Sequence, residues 1–146
     1  MEVTKKIRVG SYGLIIKDNK VALIKKAVGG YKGLLDLPGG GIEHGEEPEE
    51  ALIRELKEEA GVDVTSYELL TVTSKRLKWH DDNFNEDLHQ IGILYKVELK
   101  DYKLREDGDG LDSDGCSYYE IDKLSKKKIT PFTLKVLEFS GYKISK

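Results

Sequence analysis

The sequence predicts an α/β protein in which a mixed β-sheet lies between helices. Short runs of β-branched and apolar residues recur along the chain, and such runs are typical of strands. Two segments with helix start and stop signals, 48–60 and 131–140, interrupt these runs at separate places. Because strands and helices alternate rather than segregate, we expect helices packed on both sides of the sheet.

Six strands are predicted, each bounded by polar or turn-forming residues. They are residues 9–16, 21–26, 35–37, 68–75, 89–99 and 117–121. The first two flank the polar segment 17–20 and are expected to form a hairpin. Residues 79–86 and 105–115 are predicted as irregular polar loops, the second of them acidic and rich in glycine.

Both predicted helices carry recognisable end signals. Pro48 suits a first helical turn, where the N–H that proline lacks would have no partner anyway. Gly61 suits the stop of the same helix. Thr130 is a suitable N-cap for the second helix, which has Pro131 at its first position and Gly141 past its end.

Composition limits the class of protein. At 146 residues the chain is expected to form one domain, residues 1–146. There is no apolar run near ~18 residues, so no membrane partner is predicted. A single cysteine, Cys116, cannot form an internal disulfide, which fits a reducing, cytoplasmic environment. A formal charge of −3 and a pI near 5.7 argue against long nucleic acid as a partner.

The most informative segment is an acidic loop and helix that run from Gly40 to Val62. Its fixed positions read G-x5-E-x7-R-E-L-x-E-E-x-G-V. On the predicted helix, Glu55, Glu58 and Glu59 fall within about a 100° arc, beside an apolar arc that can face a core. Like charges at this spacing repel each other, so a cation is expected to neutralise them.

The surroundings of the three glutamates favour a metal site over a solvated acidic face. A solvated face is the common origin of charge runs, and 35% of this chain is charged. Here, however, the glycine-rich segment 38–41 precedes the helix and can bring backbone atoms close to a bound group. No cysteine or histidine joins the cluster, and an all-oxygen ligand set suits Mg²⁺ or Mn²⁺ rather than zinc.

In this segment the chain resembles the Nudix (MutT-like) hydrolases, because every fixed position of that family's motif is present. The resemblance is close over residues 38–62 and looser elsewhere. It implies an α/β/α sandwich with a mixed central sheet. It also implies a Mg²⁺-dependent enzyme that cleaves a nucleoside diphosphate linked to another moiety, by attack of water on phosphorus. The implied partner is a small nucleoside diphosphate derivative, and a homodimer is one alternative for the oligomeric state.

The resemblance also implies roles for individual residues. The implied metal ligands are Glu55, Glu58, Glu59 and a backbone carbonyl of Gly39 or Gly40. One of the glutamates, with Glu58 and Glu55 as the candidates, would orient or deprotonate the attacking water. Arg54 would hold the glutamates in place by pairing with Glu46 or a neighbour.

An acidic residue further along the chain is another candidate. Nudix enzymes often carry an extra acidic residue on a loop before the strand that corresponds to 118–121, and Asp112 and Asp114 lie at about the right distance. Asp112 is therefore a hypothetical further metal ligand or base. A plain solvated turn and an independent calcium site are the alternatives for this segment, although the spacing of an EF-hand is not met.

Three residues are candidates for substrate binding. Lys25, next to Lys26, ends the second predicted strand and could reach substrate phosphates; an ordinary surface pair is the alternative. Trp79 and Phe84 fall in the predicted loop after the acidic helix, where a base could stack on an aromatic ring. Packing in the core or in a lid is the alternative for both aromatic residues.

The sequence limits the substrate by elimination. No proline occurs between Pro48 and Pro131, so the downstream proline associated with ADP-ribose hydrolases of the family is missing. The upstream pattern of coenzyme A pyrophosphatases is missing too, which favours a nucleoside triphosphate or a modified nucleotide. Two alternatives keep the fold: a nucleotide-sensing module without turnover, and a non-nucleotide diphosphate enzyme. The complete set of carboxylates argues against the first.

Overall fold

The computed structural model describes residues 2–27, 31–80, 85–106 and 113–146, with the backbone alone for residues 113 and 114. The strands of the described residues, numbered in chain order, are β1 Thr4–Leu14, β2 Ile16–Lys17, β3 Lys20–Lys26, β4 Leu35–Asp36, β5 Gly39–Gly41, β6 Val64–His80, β7 Asn85–Leu99 and β8 Ser113–Glu120. The helices are α1 Pro48–Ala60 and α2 Pro131–Phe139, with a short 3₁₀ turn at Ile121–Lys123.

The strands form two sheets. The first sheet has the order β5-β1-β7-β6 and is mixed, because β1 runs parallel to β7 while the other pairs are antiparallel. The second sheet is antiparallel, and β3 pairs in it with β2, β4 and β8. Gly10 of β1 lies opposite both Gly41 of β5 and Gly92 of β7.

The two helices pack on opposite sides of the strands. In β3, Val21 and Leu23 belong to a core cluster with α2, whereas Ala22 and Ile24 belong to a second cluster with α1. Successive residues of a strand point to opposite faces, so the two clusters lie on either side of the strands. The predicted α/β class, with a mixed sheet between helices, is confirmed.

The predicted ends of the helices agree closely with the structure. The first helix has the predicted bounds, and Gly61 ends it in the left-handed region, at φ 71°. At its start, Glu47 and Glu50 form a reciprocal capping box. Thr130 caps the second helix by accepting a hydrogen bond from the Thr133 N–H at 3.2 Å. The longest helix of the described residues has 13 residues, and none of them is long and apolar enough to span a membrane.

The predicted irregular loop at 79–86 is wrong at both ends. Residues 79–80 continue β6 and residues 85–86 begin β7, so the two strands form a long hairpin. Polar residues occupy these strand positions because they pair across the hairpin. Arg76 binds Asp87 at 2.8 and 2.5 Å, and Trp79 Nε1 donates to Glu86 at 3.0 Å.

Two other strands are also longer than predicted. β1 begins at Thr4 rather than at residue 9, and its polar first half pairs with the start of β7. β8 begins at Ser113, inside the segment predicted as a loop. The remaining part of that segment, including Asp112, lies outside the described residues, as does Phe84.

Candidate active site

A cavity of about 370 Å³ is bordered by both sheets and by α1. Its acidic part is formed by Gly39–Gly41, Glu55, Glu58 and Glu59. Trp79 and Glu86 border another part of it. Gly41 lies in register with Gly10 and, through it, with Gly92 of β7. Glu86 precedes Gly92 by six residues, a distance of roughly 20 Å along an extended strand. The cavity is therefore elongated, with the glycine loop and the glutamates of α1 in one region and Trp79 in another.

The glycine loop lies directly against the glutamates of α1. A Cβ atom on Gly40 would come within 2.6 Å of Glu55 Oε2, so a side chain at this position would displace the carboxylate. Gly39 has φ +146°, and a Cβ there would lie 2.6 Å from the Cα of Tyr12. The backbone contacts and φ of Gly39 therefore require glycine at that position, whereas a side chain at Gly40 could be accommodated only by moving the Glu55 carboxylate.

Arg54 holds the acidic residues in a fixed arrangement. Its Nε and one terminal nitrogen bind the Glu46 carboxylate at 2.8 and 2.9 Å, which is the pairing expected from the sequence. Its other terminal nitrogen binds Glu55 at 2.9 Å and Glu58 at 3.4 Å. The guanidinium also donates to the Gly41 carbonyl at 3.0 Å, so it connects the loop to the helix.

These contacts shift the pKa values of Glu46 and Arg54. The hydrogen bonds from Arg54 and from the Glu43 N–H lower the pKa of Glu46 to about 2. The same hydrogen bond to Glu46, together with that to Glu55, raises the pKa of Arg54. Both groups therefore remain charged across the physiological pH range.

Glu55, Glu58 and Glu59 differ in exposure. Glu59 is 5% exposed, and its Oε2 accepts a hydrogen bond from the Gly39 N–H at 3.2 Å. The Glu55 side chain is 13% exposed, whereas that of Glu58 is 56% exposed. Glu55 and Glu59 are thus anchored beside the glycine loop, and Glu58 lies at the open side of the cavity.

The donor set fits a magnesium ion that retains water ligands. No three Asp, Glu, His or Cys side chains of the described residues surround a common point. Mg²⁺ does not require such a cage, because it keeps several waters and is bound through one or two carboxylates together with substrate phosphates. Glu55, Glu59 and the adjoining loop carbonyls offer oxygen ligands of this kind.

The proposed substrate-binding residues do not all reach the cavity. Lys25 is exposed and does not border it, whereas Lys26, on the opposite face of β3, does. The alternation of side chains along a strand explains this difference between neighbours. Trp79 borders the cavity from β6, not from a loop, with its indole N–H bound to Glu86.

Gln90, Tyr12 and Asp36 are among the other residues that border the cavity. Gln90 Nε2 donates to the Tyr12 hydroxyl at 2.8 Å, and the Tyr12 ring packs 4.8 Å from that of Phe132. Asp36 is 5% exposed and binds the start of α2 through Thr130. An acidic residue within a short apolar strand was the available signal for Asp36, but its partner lies 94 positions away in sequence.

Burial changes the ionisation of two of these groups. It raises the pKa of Asp36, and the hydrogen bonds from Thr130 and Thr133 oppose that rise. Burial also raises the pKa of the Tyr12 hydroxyl, with a further contribution from the nearby charge of Asp36. Tyr12 is therefore a neutral phenol at physiological pH.

The arrangement can bind an anionic group and a flat, mostly neutral group together. Anchored carboxylates and loop carbonyls can hold a cation at one region of the cavity, and that cation can receive phosphates. A flat ring can lie against the aromatic and amide side chains elsewhere. Such a cavity suits an elongated phosphate-containing molecule.

Comparison with known proteins agrees with this description. The family model described as NUDIX domain matches residues 6–139. Over 78% of this chain and 62% of the relative, the chain is 34% identical to an ADP-ribose pyrophosphatase of Methanocaldococcus jannaschii. It is also 39% identical to an 8-oxo-dGTP diphosphatase of Proteus vulgaris, over 45% of this chain and 60% of that protein. The chain thus spans about three-fifths of the length of these curated relatives.

Solved structures give the same result. The chain is similar to a MutT NUDIX hydrolase from Burkholderia pseudomallei, with a TM-score of 0.74, 26% identity and coverage of 91% of this chain and 97% of the other. A MutT protein from Bacillus halodurans shares the fold at a TM-score of 0.69 and 17% identity, covering 94% and 85% of the two chains. Nudix hydrolases generally use divalent metal cations. Because the family model covers nearly the whole chain, this protein belongs to the Nudix family.

Proposed function

We propose that this protein is a Mg²⁺-dependent pyrophosphohydrolase. Its substrate is a nucleoside diphosphate linked to another moiety, most specifically a nucleoside triphosphate or a modified nucleotide. One observation carries the proposal: Glu55, Glu58 and Glu59 of α1 and the Gly39–Gly41 loop border one cavity with Trp79. The relatives named as pyrophosphatases and diphosphatases support the same class of reaction, hydrolysis of an acid anhydride.

The acidic region of the cavity would hold the metal. Glu55, Glu58, Glu59 and a carbonyl of Gly39 or Gly40 are the proposed ligands. When bound, Mg²⁺ would lower the pKa of a coordinated water and offset the charge that develops on the phosphate oxygens. Asp112 remains a proposed further ligand or base, on the basis of its position in the sequence.

The protein residues have distinct tasks in this proposal. Arg54 keeps Glu55 in place by binding it together with Glu46. The buried carboxylate of Glu59 is held against the loop by the Gly39 N–H. Glu58 is the more exposed carboxylate and is a candidate to orient or deprotonate the attacking water. Glu55 and Glu59 are thus the more firmly held of the three proposed ligands, whereas Glu58, which Arg54 contacts at 3.4 Å, is the more exposed one.

The remaining residues of the cavity contact the organic part of the substrate. The Trp79 ring is a surface on which a base can stack, since base–aromatic stacking is favourable for every base. Its orientation is fixed by Glu86, which also pairs with Lys6 at 3.2 Å. Lys26, rather than the Lys25 suggested by the sequence, borders the cavity, and its charge acts on the nearby Asp36. Phe84 remains a proposed aromatic contact from its sequence position.

A substrate panel in the presence of Mg²⁺ tests this function. It contains the four common nucleoside triphosphates, an oxidised guanine nucleotide and ADP-ribose, the last because of the archaeal relative. We expect Mg²⁺-dependent release of a nucleoside monophosphate, and ¹⁸O from labelled water in one product identifies the attacked phosphorus. Binding of nucleotides without hydrolysis of any would instead support a sensing module and contradict the proposal.

A further inference from the structure

We propose that Asp36 recognises the nucleobase of the substrate by accepting a hydrogen bond from an exocyclic amino group. The inference rests on the proposed function, because it concerns the moiety attached to the cleaved linkage. The Asp36 side chain borders the same cavity as Glu55 and Glu59, but it comes from β4 rather than from α1. It is thus a buried acidic group that the metal-dependent chemistry does not use.

The two oxygens of the Asp36 carboxyl group have different surroundings. Oδ1 accepts three hydrogen bonds, from Thr130 Oγ1 at 2.7 Å, Thr133 Oγ1 at 2.8 Å and the Leu37 N–H at 3.0 Å. No group in the described part of the chain donates a hydrogen bond to Oδ2. This oxygen is also not completely shielded from solvent. Because the residue borders the cavity, Oδ2 is the oxygen that a ligand there can reach.

A structural role explains only one of these oxygens. The bonds on Oδ1 join β4 to the first turn of α2, and the amide oxygen of an asparagine would serve equally well. Burying an ionisable carboxyl group is costly unless both oxygens are satisfied. Burial does raise the pKa of Asp36, with Thr130, Thr133 and Lys26 acting in the opposite direction. The second oxygen therefore needs a donor, and a ligand in the cavity can supply it.

That donor belongs to the base rather than to the phosphates. Phosphate oxygens are anionic acceptors, and a nearby carboxylate repels them strongly where water is excluded. The neighbouring cavity residues Tyr12 and Gln90 form a neutral hydrogen-bonded pair, which suits a flat uncharged group. Adenine, guanine and cytosine each carry an exocyclic amino group, whereas uracil and hypoxanthine do not. An amino-bearing base thus provides the N–H that Oδ2 lacks.

Two pairs of nucleotides test the inference in the unaltered protein. ATP and purine riboside triphosphate differ by one amino group, as do GTP and ITP. We expect a preference of about tenfold or more in kcat/KM for the amino-bearing member of at least one pair, since a buried acceptor left unpaired weakens binding strongly. Equal values within both pairs would overturn the proposal without any mutant.

The Asp36→Asn variant then assigns the preference to this residue. The Leu37 N–H is an obligate donor, so the asparagine carbonyl must remain at the Oδ1 position. The amide NH₂ therefore replaces Oδ2 and presents a donor where the carboxyl group presented an acceptor. We expect the preference to fall to within about threefold, through a higher KM for the amino-bearing nucleotide. Equal loss for both members of a pair would mean that Asp36 is only structural.

Thr133→Val is the matched control. It removes one donor to Oδ1 and weakens the junction between β4 and α2, but it leaves Oδ2 unchanged. We expect a lower melting temperature with the base preference intact. Loss of the preference in both variants would overturn the proposal.

Equilibrium binding separates this inference from the proposed function. Calorimetric titration with each nucleotide pair, in the absence of turnover, measures the same preference. If no nucleotide is hydrolysed, the proposed function fails, yet a base preference that depends on Asp36 would still be seen. If hydrolysis occurs without discrimination within either pair, only the inference about Asp36 fails.

Discussion

At the scale of single residues, α1 contains residues that position the site and residues that are proposed to bind the metal. Arg54 contacts Glu46, Glu55 and the loop carbonyl of Gly41 within 3.0 Å, so it positions the site without having to touch a substrate. Glu59 is buried and anchored, and the Glu58 side chain is the exposed one. The effects of substitution should follow this division.

Replacing Glu58 or Glu59 by glutamine tests the proposed metal site. In Glu58→Gln and Glu59→Gln, one charged oxygen ligand becomes a neutral amide of the same shape. We expect kcat to fall by at least about 10³ in each, comparable to the loss of a principal electrostatic group. Glu68→Gln, at an exposed position of β6, is the control for a general change in charge. A fall of less than tenfold in both site variants would exclude these residues as ligands.

The pKa of Glu46 predicts a dependence of stability on pH. Its folded-state pKa is about 2, below the ordinary value of 4.5. A lowered carboxyl pKa stabilises the folded state above the unfolded-state pKa, and this stabilisation is lost as the pH falls toward the folded-state value. We expect the difference in unfolding free energy between the unaltered protein and Glu46→Gln to be constant above about pH 5.5 and to shrink from there to pH 2. Denaturant unfolding at several pH values measures it, and a difference that grows on acidification would contradict it.

At the scale of elements, the site depends on how closely the glycine loop approaches α1. An added Cβ at Gly40 would meet the Glu55 carboxylate, whereas one at Gly41 would have an ordinary contact, 3.9 Å from the Arg8 side chain. Two adjacent glycines of one strand thus face very different surroundings. The difference provides a matched pair of substitutions.

Gly40→Ala should lower the proposed hydrolase activity more than Gly41→Ala. The first substitution must displace Glu55 from its position between the loop and Arg54, and we expect a loss of tenfold or more in kcat/KM, since small displacements of catalytic groups are costly. Circular dichroism and the melting temperature establish that both variants fold. Equal activity of the two variants would show that the approach of the loop to Glu55 is not required.

The packing of α2 against the first sheet rests on another glycine. A Cβ on Gly92 would overlap the ring of Phe132, which belongs to the core cluster on that face. We expect Gly92→Ala to destabilise the fold by about 1–3 kcal/mol, the usual cost of overpacking a core. Adding Phe132→Leu should recover part of the loss, and a double-mutant cycle by denaturant unfolding measures the coupling. Additive effects would contradict direct contact between the two positions.

At the scale of the whole molecule, the sequence predicts the features that depend on local chemistry. The helix bounds follow from Pro48, Gly61 and Thr130, and the structure agrees because capping acts within one turn. The α/β class follows from the order of strands and helices. Arg54 and Glu46 are eight residues apart in the sequence, so one local motif contains both residues of the pair.

Features that depend on contacts between residues far apart in the sequence could not be predicted from it. The strands β6 and β7 extend through polar residues because Arg76 meets Asp87 and Trp79 meets Glu86 across the hairpin. The acidic partners, Asp87 and Glu86, are of residue types depleted in strands, so these positions are explained only by the pairs across the hairpin. Asp36 is similar, since its burial becomes favourable only when α2 brings Thr130 to it.

The parallel pairing of β1 with β7 has a consequence for how the protein folds. The hairpin of β6 and β7 joins neighbours in the chain, but pairing Thr4 with Glu86 requires closure of a loop of about 80 residues, and such long closures slow folding. Gly10 and Tyr12 border the cavity from β1, and Gln90 does so from β7. The cavity therefore acquires both walls only when the two distant strands meet. During synthesis, the cavity can therefore form only after β7 has been made and has paired with β1.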